Sequence, residues 1–281
     1  MLPQTSPDAA PLYVRDAGDP RRRERALDDL STGFRRWRLA ASLARLDIRN
    51  RYRGSVLGPF WLTLSTAIMV TGLGLLYSTL FKLPLVSYMP FLAVSLLVWN
   101  TVNQIVGDAC TSLIQSEGII RQMPLPYTVH ALRCVFRNII IAAHNLPLII
   151  VVFAICGVLP GPAALLAIPG LLLITLNAFA AAILLGMICA RFRDIGQIVA
   201  SAMQFFFFLS PVLWKPELLG TRQAWLPLNP FFVLIETVRG PLLGTGPSAL
   251  IWACAILYTA AACGMALAFF IRFRGRIAFW V

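Results

Sequence analysis

Six stretches of this chain are almost wholly apolar: residues 56–81, 90–113, 138–158, 163–189, 195–213 and 249–271. Each is long enough to cross a hydrocarbon core about 30 Å thick. No water is available there to satisfy peptide groups, so a crossing segment must satisfy its own backbone as a helix. The fold class expected is therefore all-α, a polytopic membrane protein with six transmembrane helices. Composition agrees, with 58% hydrophobic residues and only 13% charged. A soluble chain carries about 25% charged residues.

The boundary between water and membrane is sharpest at residues 45–65. Arg45, Arg49, Arg51 and Arg53 end a basic segment, Gly54 and Gly58-Pro59 break it, and the first apolar run begins. Upstream, Phe34, Trp37, Ala41, Ala44 and Ile48 recur at helical spacing beside a stripe of Arg35, Arg38, Arg45 and Arg49. That pattern predicts an amphipathic helix over 31–54, started by Ser31 or Thr32 and lying among headgroups. Residues 1–30 mix both charge signs with Pro and Gly and have no apolar stretch of the signal-peptide kind, so a flexible cytosolic tail is expected. The domain plan is thus a tail (1–30), an interface helix (31–54) and a membrane domain (55–281).

The net charge of +12 is distributed by side. Twelve basic residues precede Val56. Arg121, Arg133 and Arg137 lie between spans two and three, Arg191 and Arg193 between spans four and five, and Arg272, Arg274 and Arg276 follow span six. The other side holds Lys82, Lys215, Arg222 and Arg239. By the positive-inside rule both termini are expected in the cytoplasm. Such placement suits anionic lipid headgroups rather than nucleic acid.

Span two is unusual. Asn100, Asn103, Gln104, Gly107, Asp108, Thr111 and Gln115 form one polar stripe on an otherwise apolar helix. Polar groups at membrane depth need one another, another helix or water. The stripe reads either as interhelical hydrogen bonding or as the wall of a hydrated path, and its extent over four turns favours the path. After it comes Glu117 to Pro126, a loop or a compact helix offered to a soluble partner. On the opposite side, Asn229 to Pro241 is apolar but too short to cross. It is expected to dip into the membrane or lie in its surface, with Glu236 and Arg239 paired at i, i+3.

Chemistry is sparse. No G-x-x-x-x-G-K-[ST] motif is present, so nucleotide hydrolysis is not expected of this chain. His130 and His144 share no metal-ligand spacing with Cys, Asp or Glu, and six scattered cysteines read as packing residues. Asp108 and His144 would make a proton relay if they met, but a lone His beside Asn145 and Pro147 more often bonds a backbone carbonyl. Phe205 to Phe208 point around all sides of span five and must divide between lipid and packing.

Four stretches in order carry a family resemblance: Tyr52 to Trp61, Ala190 to Ile195, Ser210 to Trp214 and Leu228 to Phe231. Together they resemble the type-2 ABC exporter permeases of lipopolysaccharide O-antigen and capsular polysaccharide export, from about Phe34 to the C-terminus. The resemblance implies a homodimer in the bacterial inner membrane, bound to two copies of a separate ATPase subunit that holds ATP and Mg. The substrate implied is an undecaprenyl-diphosphate-linked polysaccharide passed between protomers from cytoplasm to periplasm, the chain itself being a transport subunit and no enzyme. Gln115, Glu117, Arg121, Gln122 and Met123 would belong to a coupling helix touching the ATPase. Residues 215–241 would be outer re-entrant helices, with Asn229, Pro230, Glu236 and Arg239 at the gate.

Two site expectations add physical reasoning. Arg49, Arg51 and Arg53 sit where the anionic lipid diphosphate would meet the cytoplasmic leaflet, though phospholipid anchoring accounts for them as well. Trp61, Tyr77, Phe81 and Trp99 offer faces on which sugars stack, beside Asn100, Asn103, Gln104 and Asp108 of the polar stripe. The competing readings are a small glycolipid or drug ABC exporter, an ion-coupled secondary transporter and an intramembrane enzyme.

Overall fold

The computed structural model describes residues 21–58, 60–246 and 248–281, and among these it has eleven α-helices and no strand. In chain order they are α1 (Arg22–Arg35), α2 (Trp37–Arg51), α3 (Phe60–Leu80), α4 (Leu85–Thr111), α5 (Glu117–Gln122), α6 (Tyr127–Cys156), α7 (Ala167–Arg191), α8 (Ile195–Leu209), α9 (Pro230–Leu242), α10 (Ala249–Phe273) and α11 (Ile277–Trp280). Helical segments that cover Phe60–Leu80, Leu85–Thr111, Tyr127–Cys156, Pro162–Arg191 and Ala249–Trp280 are long and apolar enough to cross a membrane.

The fifth expected span differs. Its helix, α8, has 15 residues, about 22 Å at 1.5 Å per residue. Pro211 explains the stop: it disfavours helical backbone at the residue before it, and Ser210 is extended at φ −89°, ψ 143°. The chain nevertheless runs beside the whole of α4. Gly196 lies against Cys110 near one end of α4, and the Leu213 carbonyl accepts the Tyr88 hydroxyl near the other. Helix plus a short extended segment thus covers the height that α4 covers alone.

The helix expected over 31–54 begins earlier than its sequence suggests. Residues 22–30, expected in a flexible tail, are the first part of α1, and Ser31 lies inside the helix. Residues 1–20 of that tail lie outside the described residues. The cause is tertiary. Asp29 is buried, and its carboxylate accepts from the Tyr127 N–H at 3.2 Å, the Thr128 N–H at 3.0 Å and the Thr128 hydroxyl at 2.8 Å. It thereby caps α6 from another element, satisfying donors that a helix leaves open in its first turn. Arg274 donates to the same carboxylate at 2.8 Å. Gly33 lies so close to Thr128 that an added Cβ would fall 2.4 Å from its Cβ. A kink at Arg36 then turns the chain into α2, whose Ala40, Ala44 and Ile48 are buried against α6. Phe34 and Trp37, expected on the same face, remain half exposed while touching Phe179 and Phe136.

At the centre is α4, which packs against α3, α6, α7, α8 and α9. Leu92, Ala93, Val94 and Leu96 are fully buried there. On the far side α6 ends in a Schellman turn: Gly157 is left-handed at φ 66°, and the Val158 N–H bonds the Phe153 carbonyl at 2.9 Å. Pro230 and the Asn229 side chain start α9, with Asn229 Oδ1 accepting from the Phe231 and Phe232 N–H groups at 3.0 and 3.3 Å.

Candidate functional site

One face of α4 opens into a groove of about 650 Å³ between α3, α4 and α8. Asn100, Asn103, Gly107 and Thr111 of the polar stripe line it, with Trp99 beside them and Gln204 opposite on α8. These four stripe residues recur at i, i+3, i+7 and i+11, which sets them on one helix face. The rest of the stripe turns elsewhere. Asp108 faces α6, where it accepts from Arg137 Nε at 3.1 Å and Asn138 Nδ2 at 3.0 Å. Gln104 has its amide nitrogen buried without a hydrogen-bond partner among the described residues, and Gln115 donates to Thr111 at 3.1 Å. The stripe read as continuous therefore serves two purposes, a groove wall on one flank and an interhelical polar contact on the other.

That contact belongs to a larger ionic chain. Asp47 on α2 holds Arg133 in a two-pronged pair, with Nε at 2.7 Å, and receives Arg137 Nη1 at 3.4 Å. Arg137 also pairs with Asp108 through Nη2 at 3.1 Å. Two carboxylates and two guanidiniums thus neutralise one another while joining α2, α6 and α4. Removing one partner of so enclosed a set leaves an uncompensated charge, which is more costly than the pair is stabilising. Sequence reading misses it by placing Arg133 and Arg137 before the third span, whereas α6 begins at Tyr127 and holds both on the helix. The available signal was Asp47 among apolar positions of an amphipathic helix, together with arginines one turn apart.

Asp108 and His144 do not meet, and His144 lies against a backbone carbonyl as its sequence setting favours. Asp108 is engaged by Arg137 and Asn138, while His144 Nδ1 lies 2.7 Å from the Ile140 carbonyl. His144 also meets Phe60, and Thr63 donates to its carbonyl at 2.8 Å.

The expected aromatic residues do not gather at one place. Trp61 is half exposed at the start of α3, and Tyr77 and Phe81 stack on each other at its far end. Trp99 alone of the four lines the groove, wedged between Phe207 and Phe231 at 5.6 Å each. In the phenylalanine run, Phe206 and Phe207 pack inward and Phe205 and Phe208 are exposed.

At the other end of the molecule Arg239 is buried, 2% exposed. It pairs with Glu236 as the spacing predicted, and donates to the Ser95 hydroxyl at 2.8 Å and the Pro211 carbonyl at 2.6 Å. Its guanidinium also lies over the Phe91 ring at 4.3 Å. Asn229 donates to Ser210 at 2.9 Å, so the start of α9 is tied to the end of α8. Arg239 and Asn229 together hold the short outer helix against α4 and the α8 terminus.

The basic ends lie together. Arg121 pairs with Glu117 at 2.7 Å and donates to the Val281 carbonyl at 2.9 Å, placing α5 beside the last residues described. Gln115, Arg121, Gln122 and Met123 are exposed there, with Glu117 partly so. Arg49 and Arg51 in the last turn of α2, and Arg53 just beyond it, are exposed as well.

These features define a multi-pass helical membrane protein with α2 tied by charge to its central helix α4, and with a groove in which the Asn100 and Asn103 amides stand among apolar side chains. The ABC-2 type transporter family profile matches residues 39–243, most of the chain. This chain belongs to the ABC-2 type transporter family. It is similar to the O-antigen export system permease protein RfbA of Myxococcus xanthus, 27% identical over 205 residues that cover 72% of this chain and 78% of that one.

Proposed function

We propose that this chain is the permease subunit of an ATP-driven exporter that moves undecaprenyl-diphosphate-linked polysaccharide from the cytoplasm to the periplasm. The observation that carries the reading is the groove on α4, apolar but for Asn100, Asn103, Thr111 and Gln204, in a chain whose relative is named as an O-antigen export permease. Two copies form the path between them, each associated with an ATPase subunit that contacts Gln115 to Met123. The basic end faces the cytoplasm of an inner membrane and the Arg239 end faces the periplasm, in six crossings with α8 as the fifth. Arg49, Arg51 and Arg53 meet the lipid diphosphate on loading. Asn100, Asn103 and Trp99 meet sugar, and the α9 region shapes the exit.

The test is deletion of the gene, with surface polysaccharide and lipid-linked intermediates assayed in the same cells. The expected result is loss of the surface polymer with undecaprenyl-diphosphate-linked polymer retained inside. Unchanged surface glycan with new sensitivity to small compounds would replace this reading with a drug or glycolipid exporter. Complementation by Asn103→Leu then addresses the groove: export should fall although the protein is inserted normally, because an apolar side chain cannot replace the amide's hydrogen bonds.

A further inference from the structure

A second cavity, of about 270 Å³, opens at the Arg239 end between the first turns of α4, the end of α6 and the segment that enters and leaves α9. Its charged lining is Lys215, Glu217, Glu236 and Arg239, Ser87 and Thr245 add hydroxyls, and its apolar lining includes Val86 and Val158. The four charges are not equivalent. Arg239 spends its donors on Glu236, Ser95 and Pro211. Lys215 and Glu217 form no ion pair among the described residues, and the Lys215 ammonium lies 6.0 Å from the Phe91 ring centre. The Glu236 oxygen that receives Arg239 is Oε2, which leaves Oε1 for another donor.

We infer that this cavity binds the zwitterionic headgroup of a phospholipid, its phosphate on Lys215 and its ammonium on Glu217 and Glu236. Charge carries the first part of the argument. The Glu236–Arg239 pair is neutral, and the remainder is one cation and one anion with no ion pair between them among the described residues, which is the pattern that a phosphate and an ammonium on one short linker complement. An ammonium–phosphate pair would satisfy both at once, Lys215 being partly buried and Glu217 exposed at the mouth. Position carries the second part. The cavity lies where membrane helices end, and Val86, 60% exposed at its rim, gives the acyl chains an apolar surface on which to leave.

The same geometry disfavours a sugar. Carbohydrate recognition in a carboxylate-lined pocket uses an open aromatic face, and Phe91 is the aromatic ring here. That ring is 7% exposed, is covered by the Arg239 guanidinium and lies within reach of Lys215, so it offers no face for stacking. An anionic headgroup without an ammonium would satisfy Lys215 and be repelled by the two carboxylates.

The experiment uses the full chain in nanodiscs containing equal amounts of phosphatidylethanolamine and phosphatidylglycerol. The lipid retained after transfer to mild detergent is counted by native mass spectrometry. Phosphatidylethanolamine should be retained in preference, and Lys215→Ala or Glu217→Gln should each lower its retention about fivefold or more with the melting temperature unchanged. The exchange Lys215→Glu with Glu217→Lys should restore part of it, because a zwitterion can bind reversed. Equal retention by the variants, or equal retention of phosphatidylglycerol, would overturn the inference. So would displacement of the lipid by a soluble oligosaccharide of the exported polymer. The result is independent of the export reading, since it requires only that the chain sits in a membrane.

Discussion

The most apolar 18-residue stretches of α3 and α4 have the same mean hydropathy, yet 67% of that stretch of α4 is buried inside the protein and only 17% of that of α3. Hydropathy places both in the membrane and does not distinguish their surroundings. In α4 three polar residues find partners across the fold, Ser95 with Arg239, Asp108 with Arg137 and Tyr88 with Leu213, although Thr101 and Thr111 bond back on the helix. In α3 most hydroxyls turn back on their own helix. Thr66 donates to Leu62, Thr71 to Ala67 and Thr79 to Leu75. The exception is Thr63, which bonds His144 and Asn145 on α6. A helix whose polar groups are satisfied internally is free to present its other face to lipid or to a second copy of the chain, as the proposed path between protomers requires.

The largest expected effect comes from breaking the ionic chain at the base of α4. Arg137→Ala leaves Asp108 and part of Asp47 uncompensated and should cost about 3–5 kcal/mol, whereas Thr71→Ala on α3 should be nearly neutral. Denaturant titration of both variants in detergent checks the contrast, and equal losses would show that the ionic chain has no special weight. Core truncation sharpens it next. Leu96→Ala, fully buried on α4, should cost about 2 kcal/mol through lost packing, since transfer to lipid supplies no compensating gain. Leu76→Ala on α3, 59% exposed, should change stability by less than about 0.5 kcal/mol and instead alter dimer yield by cross-linking.

Smaller effects lie at the helix starts. Asn229→Ala removes the α9 cap and its bond to Ser210, so a loss of about 1 kcal/mol is expected, read as faster amide exchange in Phe231 and Phe232. Least of all is Lys82, left-handed at φ 52° in the turn joining the two helices. Lys82→Gly should stabilise by a few tenths up to about 1 kcal/mol, measured as a higher melting temperature, because glycine adopts that backbone without a Cβ penalty.

Much of the site was legible as kinds of residue and little of it as directions. The groove face of α4 was visible as Asn100, Asn103 and Thr111, since 3.6-residue periodicity is local. That Asp108 leaves this face for Arg137 was not, because it depends on α6 beginning before Arg133. The Glu236–Arg239 pair was readable at i, i+3 for the same reason that the groove face was. The burial of Arg239 was not, since Ser95 and Pro211 approach it from distant parts of the chain. Residues 22–30 misled most. Their charges read as a solvated tail, and only Asp29 reaching Thr128 and Arg274 makes them structure.

By itself the sequence determined the membrane class, the helical elements and the concentration of positive charge at one end. Each follows from a property summed over neighbouring residues: apolar run length, helical period, charge count. Tertiary structure alone decided which apolar helix is core and which is surface, where α8 stops being a helix, and which charges meet. Those depend on partners 29 to 245 residues apart, as in Asp108 with Arg137 and Asp29 with Arg274. At membrane depth an ionisable group settles where such a partner is, and no local pattern records the partner's position.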